Sequence, residues 1–188
     1  GASGLLVSSV DAFTHYQVQD AWVWEHQALT RARFCAGDRT VGIAFERIRL
    51  DVLQRQREPK ALAQAVLEMR QRMREAHPNP SDAFDLKHDR NGMVDIEFAV
   101  QFLVLAHAAA HPSLCENLGN IALLARAASL GLIPVAIAAA AQDAYRTYRR
   151  RQHQLRMNGE RYARVPPEQV SDHRAAAHAL WQYVFETT

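Results

Sequence analysis

Between residues 94 and 105 the chain is apolar at most positions: Val94, Ile96, Phe98, Val100, Phe102, Leu103, Val104 and Leu105. At about 100° per residue these side chains wrap nearly the whole circumference of a helix, and a helix that is apolar all round is buried. A buried central helix needs a shell of other elements around it, so this segment alone predicts a bundle. At 188 residues the chain has room for one domain of ordinary size with a substantial core. The apolar runs 98–110 and 132–141 are interrupted by Gln101, His107 and Pro134 and fall short of the ~18 residues that span a bilayer. Both read as core helices, and no membrane partner is expected. The first residues lack the basic, apolar, small-residue order of a signal peptide, so a cytoplasmic protein is expected.

Punctuation divides the rest of the chain. Residues 1–9, Gly-Ala-Ser-Gly-Leu-Leu-Val-Ser-Ser, read as a glycine turn feeding a short strand without a nearby partner, as in a chain cut inside a larger protein. Ser8, with Asp11 three residues on, resembles a capping box for a helix over 12–17 that continues or rejoins into 21–33 and stops near Gly37. Asp38 suits the cap of a second helix through Phe45 and Leu53, and Pro59 the first turn of a third that runs to about Ala76. The alternation over 83–88, closed by Asn91-Gly92, is the strongest hairpin signal in the chain. Later helices are expected near 121–130, 134–157 and 172–185. The expected fold is mainly α: a bundle of six to eight helices with a short N-terminal strand and a small β-hairpin near 83–94.

Two carboxylates stand out against this background. In the block 21–33, Ala-Trp-Val-Trp-Glu-His-Gln-Ala-Leu-Thr-Arg-Ala-Arg, a helix wheel gathers Ala21, Ala28, Leu29 and Ala32 on one face with Glu25 among them. A core-facing carboxylate requires a cation, hydrogen-bond donors or a ligand. On the apolar helix, Glu97 and Gln101 are four residues apart and form a polar stripe. Asp95 lies in that helix's first turn, where the macrodipole favours negative charge, a structural role. The candidate polar cluster is therefore Glu25, Arg31, Arg33, Lys87, Glu97 and Gln101, with the row Arg70, Arg72 and Arg74 as further cations.

Spacing alone favours a structural ion-pair network over a binding site for that cluster. Trp22 and Trp24 read as core and rim packing, and His26, His107, His111 and His153 share no ligand spacing. Cys35 and Cys115 lack CxxC or Cys/His spacing and read as reduced buried thiols. Arg146, Arg149, Arg150, Arg151, Arg156, Arg161 and Arg164 read first as a solvated helix face and loop, second as a contact for a nucleotide phosphate or an acidic protein. A net charge of +2 argues for no polyanionic partner, nucleic acid included.

Several of these stretches occur together in one family. The opening 1–9, Ala12-Phe13 with Tyr16-Gln17, the block 21–33 with Gly37-Asp38, Met69-Arg70 with Arg72-Met73-Arg74, and Phe84-Asp85-Leu86-Lys87 leading to Val94-Asp95-Ile96-Glu97-Phe98 resemble, in order, the C-terminal part of bacterial glutamine synthetase adenylyltransferase. The tryptophan-rich block resembles its second, adenylylating half. The resemblance implies a nucleotidyltransferase domain, of which 1–9 would be the remnant, followed by a helical domain over 10–188. It implies transfer of AMP from ATP to a tyrosine of glutamine synthetase, with a PII-type signal protein and the enzyme's own N-terminal half as further partners. The carboxylates that hold Mg2+ would precede Gly1, so no catalytic or metal-binding residue is expected in this chain. It should bind no cofactor and be inactive alone.

Asn91-Gly92 stands where the family pattern has paired glycines, and Gly119-Asn120-Ile121-Ala122 where it has Asp-Asn-Ile-Arg. The residues leave two alternatives open. One is the equivalent helical domain of a related uridylyltransferase; the other is a non-catalytic helical module that binds a protein or nucleic acid through its arginine-rich later helix.

Overall fold

The computed structural model describes residues 7–186. Among them are eight α-helices and one two-stranded antiparallel sheet. The elements run α1 (Val10–Gln19), α2 (Val23–Leu29), α3 (Arg39–Leu53), α4 (Pro59–Ala76), β1 (Phe84–Asp85), α5 (Met93–His107), α6 (Asn120–Ser129), α7 (Val135–Met157), β2 (Arg164–Val165) and α8 (Ser171–Glu186). Short 3-10 turns cover Pro112–Cys115 and Pro167–Val170.

α5 is the axle of the bundle, as its apolar circumference requires. It packs against α2, α4, α6, α7 and α8, and Ile96, Ala99, Val100, Phe102, Val104 and Leu105 are almost completely buried. At about 25 cal/mol per Å² of apolar surface removed from water, such a helix is the largest hydrophobic contributor to the fold. α7 and α8 pack on one another and on α5, so Tyr148, Leu180 and Val184 join the same core.

Several helix starts follow the sequence reading. Asp38 caps α3 by accepting from the N–H groups of Thr40 and Val41. Pro59 opens α4, with Glu58 as the cap. α1 differs slightly, because Ser9 rather than Ser8 takes the cap position and accepts from Ala12 N–H. It also stops at Gln19, so the tryptophan block forms a separate short helix.

The hairpin near 83–94 is corrected. β1 pairs with β2, Phe84 opposite Val165 and Asp85 opposite Arg164, and Leu86 N–H extends the ladder to Ala163 O. Residues 86–92 form a tight turn held by side chains. Asp85 Oδ1 accepts from the N–H groups of Lys87 and His88, and Asp89 Oδ2 accepts from that of Asp85. Such aspartate turns compete with ladder pairing, which is why the alternation does not fold back on itself. Asn91 has φ 66°, and a Cβ on Gly92 would lie 3.0 to 3.2 Å from the carbonyl oxygens of Leu86, Lys87 and Asp89, so a side chain there would force the turn to give by a few tenths of an ångström. The expected N-terminal strand falls largely on residues 1–6, outside the described residues; Val7 is not in a strand.

Candidate functional site

α2 is seven residues long and its two faces differ. His26, Gln27, Leu29 and Thr30 turn inward and are buried, whereas Trp22, Trp24 and Ala28 are exposed. Trp22 is 66% and Trp24 46% exposed, so neither is core or rim packing as spacing suggested. The helix phase explains the difference. It begins at Val23, so Glu25 is its third residue and reaches back over the helix start instead of facing the core.

Glu25 closes that start. Its Oε2 accepts from Trp22 N–H at 2.8 Å, and its Oε1 accepts the Tyr16 hydroxyl at 2.6 Å. This is the reciprocal half of a capping box, and it also fastens α1 to α2. The hydrogen bond to Glu25 is the first cause that raises the Tyr16 phenol above its ordinary pKa, with desolvation second.

The inward face is held by polar bonds from three sides. Gln27 Nε2 donates to Gln101 Oε1 on α5 at 3.0 Å. Arg49 of α3, 2% exposed, donates to the carbonyls of Leu29 at 2.9 Å, Thr30 at 3.4 Å and Cys115 at 3.0 Å. A guanidinium on the last carbonyls of α2 satisfies orphan acceptors and complements the negative end of the helix. Arg57 donates to Val52 O at 2.7 Å and Arg55 O at 2.9 Å and approaches His26 Nδ1 at 3.4 Å. Burial lowers its pKa to about 10, which leaves it cationic at neutral pH. His26 Nε2 lies 3.0 Å from Gln17 O. These two partners fix a neutral ring with its proton on Nε2.

The six sequence candidates do not meet in one cluster. Gln101 meets Gln27; Glu97 Oε1 instead accepts the Tyr145 hydroxyl of α7 at 2.7 Å. Arg31 is exposed and donates to Asn120 Oδ1 at 3.3 Å, and Arg33 and Lys87 are exposed. Both glutamates are half-buried and bonded to tyrosines, so a phenol does the work expected of a cation. Desolvation first, and Glu97 second, raise the Tyr145 pKa.

The deeply buried ion pair lies elsewhere. Arg70 of α4, 0% exposed, donates through Nε to Asp95 Oδ1 and through Nη2 to His88 O and Asp89 O; Asp95 Oδ2 accepts Asn91 N–H. Asp95 is thus more than a first-turn charge, because it fixes both the 86–92 turn and α4. Its signal was Arg70 itself, eight and four residues after the buried Leu62 and Val66 on one helix face. Arg49 carried a similar signal beside Ile48, Val52 and Leu53.

Cys115 is buried, and burial raises its pKa, whereas Cys35 is exposed, which corrects the reading of two buried thiols; both are free. Among the described residues no three His, Cys, Asp or Glu side chains converge as metal ligands, and no helix is long and apolar enough to cross a membrane.

Large exposed apolar side chains concentrate in the first third. Trp22, Trp24, Phe34, Val41, Ile43 and Leu50 lie there, against Val135, Met157 and Tyr162 in the rest of the chain. Phe34, Gly42, Ile43 and Leu50 line a groove of about 600 Å³ on α3. Gly42 admits the ring, because a Cβ there would lie 2.7 Å from it.

Residues 1–48 match the family model described as Glutamate-ammonia ligase adenylyltransferase, and 60–183 match that described as GlnD PII-uridylyltransferase. The chain is 56% identical, over 99% of its length, to a bifunctional glutamine synthetase adenylyltransferase/adenylyl-removing enzyme of Bordetella bronchiseptica. Proteins of the same description from Aromatoleum aromaticum and Nitrosomonas europaea are 55% and 50% identical over 98% and 100% of the chain. The chain spans about a fifth of their length: 20% of the first two and 22% of the third.

Proposed function

This chain belongs to the glutamine synthetase adenylyltransferase family, and we propose that its helices form the wall behind the nucleotide cleft of such an enzyme. In this reading the full-length protein transfers AMP from ATP to a tyrosine of glutamine synthetase in the cytoplasm. A PII-type protein and the enzyme's other half bias the activity. The present residues position the substrate protein and couple the cleft to those regulators.

The observation that carries the reading is α2, held from behind by Arg49, Arg57 and Gln101 while Trp22 and Trp24 face outward. An exposed apolar face held in one orientation is a docking face, and the partner we assign to it is the nucleotidyltransferase domain. The match of 1–48 to the adenylyltransferase family model supports that assignment. We keep the division after residue 9 expected from sequence, because Leu29 of α2 and Ile48, Val52 and Leu53 of α3 share one core with α4 and α5. The described residues do not fit a resident Mg2+, since no ligand set converges. No chemical step is assigned to them.

The match of 60–183 to a uridylyltransferase model favours a second reading, in which the bundle serves transfer of UMP to a PII-type protein. One assay separates the readings and tests the first. With Mg2+ and glutamine synthetase, the 188-residue chain should form no adenylylated tyrosine from ATP, and the full-length protein should form it. Appreciable transfer by the chain alone overturns the wall reading. Transfer of UMP to a PII-type protein by the full-length enzyme, without AMP transfer, selects the second.

A further inference from the structure

A separate cleft of about 410 Å³ opens between the C-terminal end of α4, the 85–88 turn, α7 and the segment leading into β2. Its volume falls in the range of small-ligand sites. Lys87, Arg156, Arg161 and Arg164 line it, and Asp85 is the one carboxylate among the described lining residues. Asp85 is already engaged. Its Oδ1 accepts two backbone N–H groups, and its Oδ2 lies 3.8 Å from Arg164 Nε. Lys87, Arg156 and Arg161 form no ion pair among the described residues.

The charges are gathered rather than spread. The guanidinium carbons of Arg161 and Arg164 lie 5.4 and 4.3 Å from the centre of the same Tyr162 ring. That contact ties both guanidinium groups to one aromatic ring in the lining. The lining also includes the stacked rings of His77 and His88, 4.2 Å apart and 3° from parallel. A cleft lined by one sign of charge concentrates counter-ions, and planar guanidinium forks match the paired oxygens of phosphate groups. Simple solvation of a basic helix face explains neither the concavity nor the convergence of α7, the turn and the β2 segment.

We propose that this cleft binds the phosphate chain of a small polyphosphate ligand. The site is built from 76–164 and stands apart from α2 and its aromatic face. It takes either inorganic pyrophosphate or the phosphate tail of a nucleotide, since both present the same oxygens.

Isothermal titration of inorganic pyrophosphate into the 188-residue chain, at low salt and without Mg2+, tests this. Saturable one-to-one binding is expected, with Arg161→Gln and Lys87→Gln each weakening it about tenfold through loss of a charge-assisted contact. Both side chains are exposed and hold no ion pair, so the variants should keep the wild-type circular dichroism. Arg146→Gln, on α7 but outside the cleft, should bind as wild type. ATP binding more tightly than pyrophosphate makes a nucleotide the source; equal binding makes it the phosphate chain alone. Absence of saturation to millimolar pyrophosphate overturns the proposal, as does AMP binding as tightly as pyrophosphate. Equal weakening by Arg146→Gln and Arg161→Gln also overturns it, because a general basic surface would then account for the binding.

Discussion

Replacing Asp95 by alanine should be among the most damaging single changes available to this fold. Arg70 is fully buried and Asp95 is 5% exposed, so the guanidinium has no route to water when its partner is removed. What remains to it is His88 O at 2.8 Å and Asp89 O at 3.3 Å, while its Nη1 already lacks a partner. Asn91 N–H, held by Asp95 Oδ2 in a left-handed turn, is orphaned at the same time. Breaking a buried ion pair from one side costs about 3–5 kcal/mol. At roughly 2–4 °C per kcal/mol for a chain of this length, Tm should fall by about 6–20 °C in a circular dichroism melt. The double variant Arg70→Met/Asp95→Leu should recover much of that loss, because two apolar side chains leave no buried charge. Recovery should be incomplete, since Asn91 N–H stays unpaired at a cost of about 1–3 kcal/mol. A drop below about 2 °C for Asp95→Ala, or a double variant worse than the sum of the singles, would refute the reasoning.

Further outcomes follow from other sites. Burial, as first cause, holds His26, His88 and His107 below the usual imidazole pKa, so the folded chain takes up fewer protons than the unfolded chain as pH falls. Their stabilising contribution is complete above about pH 6.5 and is lost below it. Tm should therefore be lower at pH 5.5 than at pH 7.5, with a smaller difference in His26→Gln; an unchanged or rising Tm contradicts this. The lowered carboxylates Asp38, Glu58 and Glu116 act only at more acidic pH and do not confuse that window. Gly42→Ala gains about 1 kcal/mol of helix propensity but places a Cβ 2.7 Å from the Phe34 ring, which is 38% exposed and can swing away. Tm should change by only a few degrees while Phe34 ring resonances move in NMR; unmoved resonances would show the ring is not seated on Gly42.

What sequence revealed depended on how local the cause was. The apolar circumference of α5, the Asp38 cap and Pro59 at the head of α4 are set within a few residues, and the structure has them. The mainly α bundle follows from α5 alone. Glu25 was misplaced because α2 covers only Val23–Leu29, so Ala21 and Ala32 are not on its wheel, and a carboxylate at the third helical position reaches back to the helix start. The sheet was missed for a different reason. β1 finds its partner about eighty residues away, and local alternation cannot report so distant a pairing. Arg70 and Asp95 were each noticed, one as a spare cation and the other as a first-turn charge. Only the packing of α4 on α5 makes them a pair. The outward face of α2 was illegible because a tryptophan beside alanines and leucine looks the same whether its neighbour is its own core or another domain.

The account turns on that face. The direct measurement is Trp22→Ser/Trp24→Ser in the full-length enzyme, scored by AMP transfer to glutamine synthetase, alongside Tm of the same double variant in the 188-residue chain. Both side chains are exposed in the chain, so its Tm should stay within a few degrees of wild type while transfer by the full-length enzyme falls at least about tenfold, the equivalent of ~1.4 kcal/mol of lost docking. Unchanged transfer with unchanged Tm would contradict the claim that α2 presents its tryptophans to a catalytic domain.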